Sequence, residues 1–337
     1  MTDPVSEAAR QTETARQRWL DPTWRAAVLA WVEDRLGILG RRITGPVEQP
    51  HIRPWSTAMA VPTDAGLLWF KAGGPGNAYE ARLLDALSRW GTPGILAPLE
   101  IDVDRGWLLL ADGGTRLRET LDGGPGLAAW ERVLREWADI QRALSPRAPE
   151  LLAVGVPDRR PAVLARELAT LIEDPAVELE ADDRARLRTL LPDYVRWCAE
   201  LDTLGVEPSL QHDDLHDGNV FVGPAGDRIF DWGDASIAHP FGTLLVTFRS
   251  IADRGLGGGE DERRALVRLR DAYLEPWTAE HSRADLEAAV PLAMRVAIVG
   301  RALSWKEALT GIPPHDHGPW SGYTGGWLME LFEPTPL

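Results

Sequence analysis

The stretch LQHDDLHDGNVFVGPAGDRIFDWGDA occupies residues 210–235. Within it His212, Asp213, Asp214, His216, Asp217 and Asn219 crowd five ionisable groups and a carboxamide onto one short loop, an arrangement that is costly where the loop is purely structural. Val220-Phe221-Val222, a Gly-Pro-Ala-Gly-Asp turn and Ile229-Phe230 then read as a β-hairpin, and a second acidic site opens at Asp231. A hairpin fixes the separation of its ends, so Asn219 and Asp231 can face one point. Two oxygen ligands converging there, with Asp214 close by, suit Mg²⁺ carrying a polyphosphate. The chemistry this implies is phosphoryl transfer.

Such chemistry also needs a cation for the phosphates. Lys71 ends the apolar strand LLWFK, which buries its stem and lets the ammonium emerge at the strand end. Alone it reads as a surface residue, but Glu80, nine residues on and in the next helix, can hold it by an ion pair. Asp214 is the candidate for orienting or deprotonating the incoming hydroxyl. A lone loop Asp would be a turn cap; one followed by Asn219, a hairpin and Asp231 is not. His212 reads as a hydrogen-bond donor holding the loop, and His216 as a contact to substrate or phosphate or as packing.

Residues 7 to 38 carry apolar positions at helical spacing, broken at Asp21-Pro22, and predict two helices. From 43 to 111 the pattern is three strands (47–52, 57–61, 67–71), a helix over 78–90, and two more strands (95–101, 106–111). Beyond Asp112-Gly113-Gly114 the chain is mainly helical: 125–144, 160–174, 180–204, then the acidic loop and hairpin, then 240–254, 260–279 and 284–310. The run from Pro313 to Gly326 reads as loop. The expected division is a helical extension over 1–42, a small antiparallel-sheet lobe over 43–112 and a helical lobe over 113–337.

Hydrophobic residues make up 44% of the 337 and charged residues 26%, as in ordinary globular proteins. No apolar run reaches the roughly 20 residues of a membrane helix, and the polar N-terminus lacks a secretory signal, so a cytoplasmic location with no membrane partner is expected. A net charge of −15 makes nucleic acid an unsuitable partner. Cys198, the only cysteine, excludes an internal disulfide and reads as a small buried hydrophobe. Of fifteen tryptophans most sit on helical patterns and should be core; Trp320 and Trp327, in the Gly-rich tail, can instead wall a substrate with Tyr323.

His212-x-Asp214-Leu215-His216-x-Gly218-Asn219 followed by Ile229-Phe230-Asp231-Trp232 resembles the catalytic and metal-binding loops of the aminoglycoside phosphotransferase family, the small-molecule branch of the protein-kinase-like superfamily. With Lys71, Glu80 and the linker in the same order, the resemblance covers about residues 43 to 310. It implies an α+β, bilobal protein-kinase-like fold with ATP in the cleft and adenine against the linker that runs from Leu109 through Ala111 to Gly113. It also implies Lys71 on the phosphates, Asn219 and Asp231 on Mg²⁺, and Asp214 as catalytic base with His212 beside it. Three departures stand out. Asp213 occupies a place where the family usually has Gly. No glycine-rich phosphate loop joins the first strands; Arg53-Pro54-Trp55-Ser56-Thr57 stands there, with the Ser56 and Thr57 hydroxyls offered to phosphate. Thr243 stands where an Asp commonly braces the catalytic loop.

Asp213, Asp217 and Asp234 would make the acceptor site negative and favour an aminoglycoside, an amino sugar or another amine-bearing alcohol, an antibiotic among them. Two other readings stay open on the residues alone. One is a metal-dependent hydrolase built on His212, Asp214 and His216, which leaves Lys71, Glu80 and Asn219 without a role. The other is a kinase-like nucleotide-binding module without catalysis, whose expected signature, loss of a catalytic residue, is absent.

Overall fold

The computed structural model describes residues 15–224 and 226–337. The start of the first expected helix, residues 7 to 14, lies outside them. Contacts divide the chain into two units: residues up to Ser88 with Ala97–Asp112 and Lys306–Ser321, and Arg89–Leu96 with Gly113–Trp305 and Gly322–Leu337.

The first unit is a five-stranded antiparallel sheet with helices. α1 (Ala15–Arg18) is followed by α2 (Pro22–Ile38), whose start is fixed by Asp21: its carboxylate accepts the Thr23 and Trp24 N–H groups at 2.6 and 3.0 Å, with Pro22 at the first helical position. Strands β1 (Glu48–Ile52), β2 (Ser56–Thr63), β3 (Gly66–Gly73), β4 (Glu100–Asp102) and β5 (Trp107–Ala111) pair in the order β1-β2-β3-β5-β4. Along β2 and β3 burial alternates, so Met59, Val61, Leu68, Phe70 and Ala72 share one face. Val28, Val32 and Leu36, spaced by four on α2, join them in one core with Trp19, Trp107 and Leu109. Each such buried side chain contributes roughly 2 kcal/mol. The helix expected as an extension is thus part of the core of this unit.

The connection after β3 passes Gly76, where a Cβ would stand 1.9 Å from the Glu307 carbonyl oxygen; only glycine permits that backbone approach. It leads into α3 (Tyr79–Arg89). The strand expected over 95–101 survives only as β4. Pro98 lacks a ladder donor, and Leu96 instead donates its N–H to the Ile229 carbonyl at 2.9 Å, within the second unit.

The second unit contains α4 (Leu127–Leu144), α5 (Ala148–Ala153), β6 (Asp158–Arg159), α6 (Pro161–Glu173), α7 (Ala181–Thr203), β7 (Ser209–Gln211), the hairpin β8 (Val220–Phe221) and β9 (Arg228–Ile229), β10 (Ser236–Ala238), α8 (Leu244–Ala252), α9 (Gly259–Leu274), α10 (Arg283–Ala308) and α11 (Tyr323–Met329). β10 lies between β6, parallel to it, and β7, antiparallel. The helix expected to run to 279 ends at Leu274, where Pro276 removes a donor and a 3₁₀ turn Glu275–Ala279 follows. The end of the run expected as loop, from Tyr323 to Gly326, opens α11, which buries Leu328 and brings Gly325 so close to Glu178 that a Cβ would lie 2.1 Å from its carbonyl oxygen. Among the described residues no helix is long and apolar enough to cross a membrane.

Candidate active site

β7 delivers the acidic loop, the β8–β9 hairpin follows it, and β10 leaves it. The hairpin pairs Val220 with Ile229 and Phe221 with Arg228. The Phe230 N–H then donates to the Asn219 carbonyl at 3.1 Å, so the ladder continues to the residues next to Asp231. His212 is fully buried; its Nε2–H donates to the Phe230 carbonyl at 2.9 Å, and its ring lies 4.8 Å from that of Trp232. Burial pulls its pKa down, outweighing the Phe230 carbonyl, so the ring is neutral and ties the two halves of the motif together.

Three side chains hold Asp214. Arg301, on α10, donates Nη2–H to Oδ1 at 2.8 Å. Asn219 donates its amide N–H to the Asp214 carbonyl at 2.9 Å and to Oδ2 at 3.3 Å. His216 accepts the Gly218 N–H on Nδ1 at 2.9 Å, which leaves the proton on Nε2, 3.5 Å from Oδ2. Burial works against the ionised carboxyl, but Arg301 and His216 outweigh it and keep the pKa below the usual carboxylate range. Because the Asn219 nitrogen is turned to Asp214, its oxygen is the end of the amide left to accept from a cation.

Asp213, Asp217 and Asp234 are each met by arginine. Asp234 receives Arg301 Nη1 at 3.0 Å; burial dominates there and, with Asp214 and Asp231 nearby, raises its pKa to about 6 despite the guanidinium. Asp213 bonds the Ser236 hydroxyl and lies 3.5 Å from Arg159, itself 2% exposed. Asp217 is buried between Arg118, at 3.2 Å, and Arg254. Of these four arginines only Arg301, set in an apolar helical run, leaves a local trace in the sequence.

Asp213 has φ +59°, in the left-handed region. This accounts for the glycine usual at that position in the family the sequence resembles, and Asp is among the residues that tolerate it. Asp213→Ala and Asp213→Gly both remove the carboxylate, but Ala adds a strained Cβ. Denaturant unfolding should place Ala about 1 kcal/mol below Gly; an equal or reversed order contradicts this account of the turn.

The bracing Asp is replaced by a neutral buried network. Thr247, not Thr243, reaches the loop: its hydroxyl lies 2.8 Å from the Leu215 carbonyl. Thr243 instead accepts the Trp137 indole N–H at 3.1 Å. Gln141 on α4 donates to the Leu210 carbonyl at 3.0 Å and to Gln211 Oε1 at 3.1 Å, and the Tyr273 hydroxyl donates to Gln141 Oε1 at 2.5 Å. Satisfied networks of this kind make a loop rigid without charge. His239, next to them, is buried with its Nε2 unpartnered among the described residues. Burial, with His281 nearby, lowers its pKa from 6.5 to about 3. Below pH 6.5 the unfolded chain binds a proton that the folded chain refuses, so stability present above that pH is lost as pH falls toward 3. The unfolding free energy measured from pH 7 to 5 should carry a fall from this residue whose slope approaches about 1.4 kcal/mol per pH unit. His239→Asn should flatten the fall; an unchanged slope contradicts it.

In the first unit Lys71 Nζ meets Glu80 Oε1 at 2.5 Å, and both side chains are mostly buried. Thr57 is wholly buried: its hydroxyl donates to the His51 carbonyl at 2.8 Å and accepts from Gln49 at 2.9 Å, so its proton is engaged within the sheet. Ser56 Oγ lies 3.3 Å from the His51 ring. Trp55, in the turn between β1 and β2, packs against Trp320 at 4.8 Å, an anchored turn where a mobile phosphate loop would otherwise run. Leu109 is buried mid-strand between Phe70 and Glu100, whereas Ala111 closes β5 opposite Leu68. Among the described residues no group of three or more His, Cys, Asp and Glu is placed to hold a metal ion.

Residues 77–281 match the model of the phosphotransferase enzyme family, more than half of the chain, and the protein belongs to that family. It is a small-molecule kinase with a protein-kinase-like α+β fold. Ethanolamine kinase of Plasmodium vivax superposes with a TM-score of 0.59 at 14% identity, covering 85% of this chain and 82% of that one. Choline kinase of Streptococcus pneumoniae gives 0.55 at 14% identity, covering 90% and 99%. The amicoumacin kinase hAmiN, solved in complex with AMP-PNP, Ca²⁺ and Ami, gives 0.56 at 14% identity, covering 90% and 96%. No curated protein matches the sequence.

Proposed function

We propose that the protein transfers the γ-phosphate of ATP, bound with Mg²⁺, to a hydroxyl of a small molecule held beside Asp214. The observation that carries this reading is the Asn219 amide: fixed on Asp214 through its nitrogen, it presents its oxygen at the hairpin end that also supports Asp231. One neutral and one charged oxygen ligand suit a hard cation that keeps waters and phosphate oxygens in its shell. Bound Mg²⁺ would neutralise charge building on the phosphates. Lys71, held by Glu80, is the cation for the phosphates. Asp214, kept ionised, accepts the acceptor's O–H, orients its oxygen and takes the proton as the new P–O bond forms. His212 keeps the loop in register with Asp231 through the Phe230 carbonyl.

An amine-bearing acceptor is the expectation drawn from Asp213, Asp217 and Asp234, and relatives of the fold are named for ethanolamine and choline. Each of those carboxylates is met by a guanidinium, which removes much of the charge behind that expectation. Asp231→Ala tests the metal assignment. Calorimetric titration with ATP should show affinity that rises with Mg²⁺ in the native protein and has lost that dependence in the variant; an unchanged Mg²⁺ dependence sinks the assignment.

A further inference from the structure

We infer that the acceptor carries an oxyanion, a carboxylate or a phosphate, near the hydroxyl that is phosphorylated, an inference that rests on the phosphoryl-transfer reading above. A cavity of about 560 Å³ in the second unit is lined by His216 and Arg301, both of which touch Asp214, and by Arg118, Arg249, Arg254 and Trp327. Two of its four guanidiniums are neutralised by carboxylates of their own. Arg301 is shared by Asp214 and Asp234, and Arg249 bonds Glu330 at 2.9 Å while lying 4.6 Å over the Trp327 ring.

The other two are not. Arg118 and Arg254 share one carboxylate, Asp217, so the trio keeps a unit of positive charge. Arg254 reaches Asp217 through Nε, and its two terminal nitrogens make no hydrogen bond among the described residues. Its side chain is 24% exposed, which places those donors partly out of water and on the cavity wall. A planar fork with two open donors matches a carboxylate or phosphate edge, and desolvation strengthens the pairing. The opposing lining carboxylate, Asp253, is exposed to solvent and correspondingly screened. An ammonium placed in the same cavity would face guanidiniums, a like-charge contact. The larger cavity of the unit, about 870 Å³, includes none of the site residues, and its lining also carries Glu131, Glu260, Asp271 and Glu275.

The test is calorimetric, on the full chain with AMP-PNP and Mg²⁺ present so that nucleotide phosphates occupy their own site. Matched sets are titrated: glycerate, glycerol 3-phosphate, glycerol and 3-aminopropane-1,2-diol; gluconate, glucose 6-phosphate, glucose and glucosamine. At least one carboxylate or phosphate member should bind ten-fold or more tightly than its neutral and amino counterparts, and the stronger of the two anions names the source. Arg254→Gln should abolish that preference and Arg254→Lys restore part of it, since charge returns without the fork. Neutral or amino members binding as tightly as the anions, or no member binding at all, overturns the inference; so does a preference that survives Arg254→Gln. The native protein's preference decides the matter even where a variant fails to fold. AMP-PNP binding without anion preference leaves the phosphoryl-transfer reading standing, whereas failure of AMP-PNP to bind removes that reading itself.

Discussion

Asp214→Ala is expected to lower kcat by roughly 10³-fold while leaving nucleotide affinity within about two-fold, because a group that orients and deprotonates the acceptor acts on the chemical step. The fold should survive. Arg301 loses one carboxylate but keeps Asp234 at 3.0 Å, and the Asn219 amide keeps the Asp214 backbone carbonyl at 2.9 Å. Steady-state kinetics with the acceptor, together with nucleotide titration, separate the two effects. Turnover retained at the native level would remove Asp214 from the mechanism; turnover and nucleotide affinity lost together would make it a structural residue.

Arg301→Met is expected to have the largest effect on stability. The native arginine is 9% exposed and joins Asp214 to Asp234, two carboxylates that repel each other without it. Removing one partner of a buried ionic cluster costs about 3 kcal/mol, and Met fills most of the volume, so the loss reports the charge rather than a cavity. Arg301→Lys should recover part of the stability but less of kcat, because an ammonium is a point charge and cannot hold two carboxylates from one plane. Urea unfolding and kcat measured on both variants test this. A stable, fully active Arg301→Met protein would show that Asp214 is positioned by Asn219 and His216 alone.

The loop and hairpin were legible because the residues of the site lie within one stretch, where spacing alone sets their geometry. Lys71 and Glu80 were legible as a strand-to-helix pair. A second signal for Lys71 was present in the composition: among 36 basic residues only Lys71 and Lys306 are lysines. A chain that uses arginine almost everywhere keeps a compact ammonium at the one strand end where phosphates would need it. The arginines of the site were not legible. Arg301 follows Asp214 by 87 residues, and long-range ion pairs leave no periodicity. Its trace is chemical: the run Val296-Ala297-Ile298-Val299-Gly300-Arg301-Ala302-Leu303 places one charge in an apolar helix, and a buried charge demands a partner. The short strands β6, β7 and β10 are not legible because two or three residues cannot show alternation, and residues 95–101 have the apolar content of a strand but lack a ladder donor at Pro98.

The central claim is that a phosphoryl group moves from nucleotide to a hydroxyl, not to water. Phosphorus-31 NMR of the native protein with ATP, Mg²⁺ and a mixed pool of anionic, neutral and amine-bearing hydroxylated acceptors tests it directly. The account predicts a phosphomonoester resonance growing in step with ADP, and its absence in Asp214→Ala. Inorganic phosphate as the only product, or an unchanged ATP spectrum, would contradict it.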